Sequence, residues 1–95
     1  MFTLIVIFKV KSEFVSDFSQ ALSKVTNLTR LESGNLVYEY SVDEIDVTRI
    51  FLYEKYRDRE SYELHTRQDY LNVFRAEIAD LLEEAPTVIR GNLRN

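Results

Sequence analysis

The chain contains no cysteine, no tryptophan, one histidine and only two glycines. Without cysteine it forms neither disulfides nor thiolate metal sites, and one histidine is too few for the usual zinc or iron sites. Two isolated glycines, Gly34 and Gly91, cannot supply a glycine-rich phosphate-binding loop. We therefore expect a protein without metal or cofactor.

The chain also lacks an excess of basic residues and a long hydrophobic run. Its formal charge is -4, with acids and bases interleaved, so there is no basic stripe for a nucleic acid. The apolar segment 2–8 is too short to cross a bilayer and carries neither a basic leader nor a cleavage site. We expect no nucleic-acid or membrane partner and a cytoplasmic location.

Hydrophobic periodicity predicts a single domain over residues 1–95. The expected order is a strand at 2–11, a helix from Ser12 to Gly34, strands at 35–42 and 49–57, two helices between 58 and 86, and a strand at 87–93. This is the order of the split βαβ, ferredoxin-like plan, an α+β fold whose helices cover one face of an antiparallel sheet.

Local signals predict where the helices begin and end. Ser12 and Asp58 are expected to be N-caps, and Thr66 with Asp69 resembles a capping box. Gly34 is expected to be the residue that follows a helix C-terminus.

The predicted sheet is apolar on both faces. In the first strand Ile5 and Ile7 lie on the face opposite the even-numbered apolar residues, and Phe51 and Tyr53 repeat this pattern in the third strand. A sheet with helices on one side and water on the other should alternate instead. Since the predicted helices can cover only one face of the sheet, we expect an identical chain to cover the other face in a homodimer. The alternative is a monomer with a few exposed apolar residues.

His65 is the only histidine, and histidine is the side chain that most readily changes charge near neutral pH. It precedes the second long helix, with Tyr62, Tyr70 and Phe74 nearby in sequence. A pocket there would hold a flat apolar ligand, with His65 as general base. The alternative is a half-buried histidine that caps a helix or binds a carbonyl.

Glu54 lies in the middle of the apolar third strand, on the face of Leu52 and Tyr56. A carboxylate there must be paired or hydrogen-bonded, or its pKa rises. It would either orient the base or pair with an arginine such as Arg49 across the dimer. Structural pairing is the simpler interpretation.

Four tyrosines are predicted to cluster on two neighbouring strands: Tyr38, Tyr40, Tyr53 and Tyr56. Each supplies a flat surface and a hydroxyl, which suits an aromatic ligand. Aromatic cross-strand pairs also stabilise sheets without any ligand, so both interpretations stay open.

The chain resembles the antibiotic biosynthesis monooxygenase family, whose small members include proposed quinol monooxygenases. The resemblance covers nearly the whole chain. It lies in an apolar first strand, in Gly34-Asn35-Leu36-Val37-Tyr38-Glu39 and in Glu54-Lys55-Tyr56. His65 then follows Glu54 by eleven residues, and Phe74 follows His65 by nine.

The resemblance implies a ferredoxin-like monomer whose sheet pairs with that of its partner in a dimeric α/β barrel, with an interior pocket. It also implies oxidation of a small aromatic or quinol-type substrate by dioxygen without metal or flavin, the substrate anion being the electron donor. The implied catalytic residues are His65 and Glu54. The implied contacts of the substrate ring are Tyr38, Tyr56, Tyr70 and Phe74.

Parts of this family differ from the chain. Many members have Ser-Pro-His where this chain has Gln68-Asp69-Tyr70, so one family histidine is a tyrosine here. Haem-degrading relatives use a tryptophan, which this chain lacks, and sugar-isomerising relatives need a basic phosphate pocket that the sequence does not indicate.

The alternative from another functional class is a dimeric module that binds a small apolar metabolite without catalysis.

Overall fold

A computed structural model describes residues 1–95 and contains one four-stranded antiparallel sheet and three α-helices. The elements are β1 (Phe2–Lys9), α1 (Val15–Thr29), β2 (Asn35–Val42), β3 (Arg49–Tyr56), α2 (Arg59–Thr66), α3 (Asp69–Ile78) and β4 (Thr87–Asn92). The strand order across the sheet is β2-β3-β1-β4. This confirms the predicted α+β, ferredoxin-like fold. None of the helices is both long enough and apolar enough to cross a membrane.

The hydrophobic core lies between the helices and one face of the sheet. Apolar residues recur every three or four positions on α1 and α3, which gives each helix one apolar stripe. The buried residues of these stripes are Phe18, Ala21, Leu22, Val25, Leu71, Phe74 and Ile78. They pack against the buried side chains of the central strands, among them Val6, Phe8 and Leu52.

The opposite face of the sheet has no cover from the chain. Ile5 pairs with Tyr53 on one side and with Ile89 on the other, and Ile7 pairs with Phe51. Ile5, Phe51 and Ile89 are 44%, 43% and 54% exposed. We call this surface the open face and the opposite one the covered face.

Several element ends differ from the prediction. β1 ends at Lys9 rather than at residue 11, because Val10 leaves the strand and forms an isolated bridge with Leu82. Ser12 begins a 3₁₀ turn and caps nothing, so α1 starts only at Val15. β3 and β4 each end one residue earlier than predicted, which is ordinary fraying.

The predicted caps of the shorter helices have mixed outcomes. Asp58 is confirmed as the N-cap of α2, since its carboxylate accepts from the backbone N–H of Ser61 at 2.8 Å. Thr66 is not part of a capping box: it is the last residue of α2, and its hydroxyl donates to the carbonyl of Glu63. α3 begins at Asp69 without a side-chain cap.

Gly34 has a role other than the predicted helix end. α1 ends at Thr29, and Gly34 has no positive φ. A Cβ at Gly34 would lie 2.3 Å from Oγ of Ser61, far inside van der Waals contact. The glycine therefore allows α2 to approach the loop that leads into β2, and this approach positions His65.

Candidate active site

A cavity of about 150 Å³ lies between the covered face of the sheet and the helices α2 and α3. Most of its lining is hydrophobic, including Leu4, Val6, Phe8, Leu52, Leu71 and Phe74. A dry apolar cavity of roughly this volume is enough to bind one benzene ring. The cavity therefore fits a ligand with a single aromatic ring.

The polar side chains that line the cavity differ in exposure. Tyr38, Glu54 and His65 are buried, and we call the part of the cavity that they line its inner end; Tyr62 and Thr66 are half-buried. Arg75 and Arg90 are exposed and lie where the cavity meets solvent. The cavity thus joins a buried end that holds a carboxyl, an imidazole and a phenol to a cationic mouth.

His65 lies in the last turn of α2 and is only 3% exposed. Its ring is packed among the rings of Tyr56, Tyr38 and Tyr62, with centroid distances of 5.3, 6.1 and 6.4 Å. The histidine is therefore buried rather than half-buried, and it caps neither a helix nor a carbonyl.

Both nitrogens of His65 face carboxylates. Nδ1 lies 2.8 Å from Oε2 of Glu32, and the hydroxyl of Tyr70 donates to that same oxygen. Nε2 lies 3.8 Å from Oε1 of Glu54. One nitrogen is therefore hydrogen-bonded, whereas the other is within ion-pair distance but beyond a hydrogen bond.

Glu54 is 5% exposed, and the hydroxyl of Tyr56 donates to its Oε1 at 2.6 Å. Burial raises the pKa of Glu54, and the hydrogen bond from Tyr56 and the proximity of His65 oppose that rise. Within the chain its partners are Tyr56 and His65, not Arg49, which lies at the far end of β3. The interpretation as a paired carboxylate therefore fits the structure.

The predicted aromatic contacts divide into two sets. Tyr38 and Phe74 line the cavity. Tyr56 and Tyr70 do not: their hydroxyls donate to Glu54 and Glu32. Both tyrosines are thus hydrogen-bond partners of the carboxylates beside His65, and their contact with a substrate ring stays a prediction.

Burial strongly raises the pKa of both Tyr38 and Tyr56, and the nearby charge of Glu54 adds to the rise. Both phenols are neutral at physiological pH and can act only as hydrogen-bond donors or neutral acceptors. Tyr38 thus lines the inner end of the cavity as a neutral phenol.

Three charged residues at or near the cavity were not found from the sequence: Glu32, Arg75 and Arg90. Arg90 donates from Nε to the hydroxyl of Tyr62 at 3.1 Å, and its guanidinium lies over that ring. Neither arginine forms an ion pair with a carboxylate of the chain. The only feature of the sequence that could have indicated Glu32 is its position two residues before Gly34. The close approach of Gly34 to α2, which makes that position important, is seen only in the structure.

The residues of the site form no group of three or more histidine and carboxylate side chains arranged to hold a metal ion. The absence of a metal and of a cofactor stays a prediction.

Comparison with known proteins shows similarity over the whole fold. A family model described as antibiotic biosynthesis monooxygenase matches residues 1–77. A proposed antibiotic biosynthesis monooxygenase from Nitrosomonas europaea is 26% identical, with a TM-score of 0.93 over 99% of this chain and 100% of that one. Rv0793 from Mycobacterium tuberculosis is 22% identical, with a TM-score of 0.93 over 99% and 95% of the two chains. A comparison with curated proteins finds no significant match.

Proposed function

The chain belongs to the antibiotic biosynthesis monooxygenase family, and we propose that it is a cofactor-free monooxygenase that oxidises a small phenol or quinol with dioxygen. The observation that carries the proposal is the pair His65 and Glu54, buried at the inner end of an apolar cavity of one-ring size. Buried ionisable groups in an apolar cavity are typical of sites that move protons.

The cavity suits a ring that carries oxygen at one or both ends. A substrate hydroxyl at the inner end would donate to Nε2 of His65 or to Glu54, while Phe74 contacts the ring. A second ring oxygen would face Arg75 and Arg90, which have no carboxylate partner in the chain. A quinol has oxygens at both ends, and this favours the quinol class among one-ring substrates.

In the proposed reaction His65 takes the proton of the substrate hydroxyl. The resulting anion passes an electron to dioxygen, and the two radicals join at a ring carbon to give a hydroperoxide. The O–O bond then breaks with loss of water, which leaves a ring carbonyl. One oxygen atom enters the ring and the other leaves as water with two substrate hydrogens, so the substrate supplies all the electrons that dioxygen takes up.

The protein's contribution to this reaction is electrostatic. An apolar cavity excludes water and strengthens each hydrogen bond to the developing oxyanion. The neutral hydroxyl of Tyr38 donates to that oxyanion, and protonated His65 later returns its proton to the peroxide.

The proposal includes a homodimer in which the open faces of two chains meet. Ile5, Phe51 and Ile89 are exposed and Ile7 is half-buried, and all four are apolar and adjacent in register. Two-fold pairing of such faces is the commonest way to bury them.

Dioxygen uptake against a panel of one-ring quinols and phenols, with larger two-ring compounds as size controls, tests the proposal. We expect uptake of one dioxygen per one-ring substrate oxidised, and one atom of ¹⁸O₂ in the product. Calorimetric binding of the same compounds without dioxygen uptake would identify a non-catalytic binding module instead. If the protein showed no dioxygen uptake and no binding with any compound of the panel, the proposal would be overturned.

A further inference from the structure

We propose that Glu32 is a positioning residue that accepts the Nδ1–H of His65 and thereby leaves Nε2, the nitrogen toward the substrate cavity, free to take a proton. The part of this inference that concerns catalysis rests on the proposed function. The part that concerns the imidazole does not, because it follows from contacts within the chain.

The two sides of the imidazole differ in distance. Glu32 Oε2 lies 2.8 Å from Nδ1, which is a hydrogen bond, whereas Glu54 Oε1 lies 3.8 Å from Nε2, which is not. An ionised carboxylate only accepts hydrogen bonds, so the hydrogen between His65 and Glu32 belongs to Nδ1. A neutral imidazole carries a single ring hydrogen, and Nε2 is then the basic atom.

The two carboxylates also border different spaces. Glu54 lines the apolar cavity together with His65. Glu32 instead lines a separate surface cleft, with Gly34, Ser61 and Gln68. Glu32 therefore lies behind the histidine relative to the substrate and acts on it only through the imidazole.

Glu32 is itself fixed in place. The hydroxyl of Tyr70, at the start of α3, donates to the oxygen that faces Nδ1. The loop that carries Glu32 lies close against α2, since a Cβ at Gly34 would clash with Ser61. Two elements far apart in sequence thus set the position of one carboxylate oxygen relative to the ring.

Other titratable and charged groups surround the ring, and any of them would have to be considered in a titration: Glu54 and Tyr56 on β3, Tyr38 on β2, Tyr62 on α2, Tyr70 on α3, and Arg90 on β4 next to Tyr62. None of them contacts Nδ1 in place of Glu32. The effect of Glu32 on His65 is therefore measured most directly by the tautomer of the imidazole, and not by the midpoint of its titration.

The test uses ¹⁵N-histidine labelling, because His65 is the only histidine and its two ring nitrogens give unambiguous signals. At a pH where the ring is neutral, we expect the Nδ1–H tautomer to dominate in the wild type. Glu32→Ala should shift the ring toward the Nε2–H tautomer. Glu32→Gln keeps an acceptor oxygen and should retain the Nδ1–H tautomer, whereas Glu60→Ala removes an exposed carboxylate of α2 and should change nothing.

The catalytic part has its own readout. On a substrate that the wild type oxidises, Glu32→Ala should lower kcat by about tenfold to a hundredfold, the range known for losing the partner that orients a metal-bound histidine. KM should change little, because Glu32 does not border the cavity, and Glu32→Gln should restore most of the loss.

The outcomes separate this inference from the proposed function. A wild-type Nε2–H tautomer, or a tautomer unchanged in Glu32→Ala, would overturn the inference whether or not any substrate is oxidised. A tautomer shift in Glu32→Ala with unchanged kcat on an active wild type would overturn the catalytic part alone. Absence of turnover in the wild type would count against the proposed function and leave the tautomer result standing.

Discussion

The two faces of the sheet are both apolar in sequence, yet they differ in what interrupts the apolar surface. On the covered face Leu52 is 2% exposed and lies next to buried Glu54, which pairs with Tyr56 and His65. On the open face Phe51, the neighbour of Leu52, is 43% exposed, and no buried carboxylate or histidine accompanies it. The two faces therefore share their apolar character and differ in their buried ionisable groups, which only the covered face holds.

The largest effect should come from a charge on the open face. Ile7→Lys places a cation in the proposed dimer interface, where it would be desolvated without a partner. We expect a dimer mass for the wild type and a monomer mass for the variant in light scattering at micromolar concentration. Asn27→Lys, which adds the same charge on the exposed side of α1, should stay dimeric. A monomeric wild type would disprove the homodimer.

Truncating two neighbouring residues of β3 should distinguish burial in the core of the monomer from burial in the proposed dimer interface. Leu52→Ala leaves a cavity in the monomer core and should lower the free energy of unfolding by about 2–5 kcal/mol at every protein concentration. Phe51→Ala should destabilise only through the dimer, so its effect in urea unfolding should vanish at concentrations where the wild type is monomeric. Equal, concentration-independent losses would show that the two faces do not differ in this way.

An added methyl group should distinguish the tight packing of α2 on its loop from the open face. Gly34→Ala places a Cβ 2.3 Å from Ser61 Oγ and should lower the free energy of unfolding by about 1–3 kcal/mol. Gly91→Ala on the open face meets only Thr3 Oγ1 at 3.8 Å and should be close to neutral. Ser61→Gly should rescue Gly34→Ala in thermal unfolding; a failure of this rescue would place the strain elsewhere.

The smallest effect concerns the pH dependence of stability. Burial raises the pKa of folded Glu54 above its ordinary value of 4.5, so the native state holds this proton more tightly than the unfolded state. The contribution of Glu54 to stability should then fall as the pH rises from about 4.5 to the folded pKa of Glu54, by at most roughly 1.4 kcal/mol per pH unit for one proton, and should change no further above that pKa. Glu54→Gln should remove this fall in urea unfolding at about pH 5 and pH 7, with Glu39→Gln on the open face as the control. A slope unaltered by Glu54→Gln would contradict the raised pKa.

Hydrophobic periodicity was sufficient to predict the order of the elements, because each stripe and alternation is a local property of the sequence. The wrong predictions at Ser12, Gly34 and Thr66 concern backbone geometry at element ends, which depends on tertiary contacts such as that between Gly34 and Ser61.

The candidate site was predicted only in part for the same reason. His65 and Glu54 stood out as unusual residues in apolar surroundings, and the structure brings them together. Glu32 did not stand out, because it meets His65 across 33 residues of sequence and lies in a polar loop. The catalytic roles, the homodimer, the absence of a cofactor and the cytoplasmic location stay predictions.

The turnover of His65→Gln tests the central claim most directly. Glutamine keeps much of the shape and hydrogen bonding of the imidazole but cannot take a proton at neutral pH, so general-base catalysis is lost outright. On a quinol that the wild type oxidises, we expect dioxygen uptake to fall by about a hundredfold or more, with the native circular dichroism spectrum retained. Full turnover in the folded His65→Gln variant would contradict the account and exclude His65 as the base.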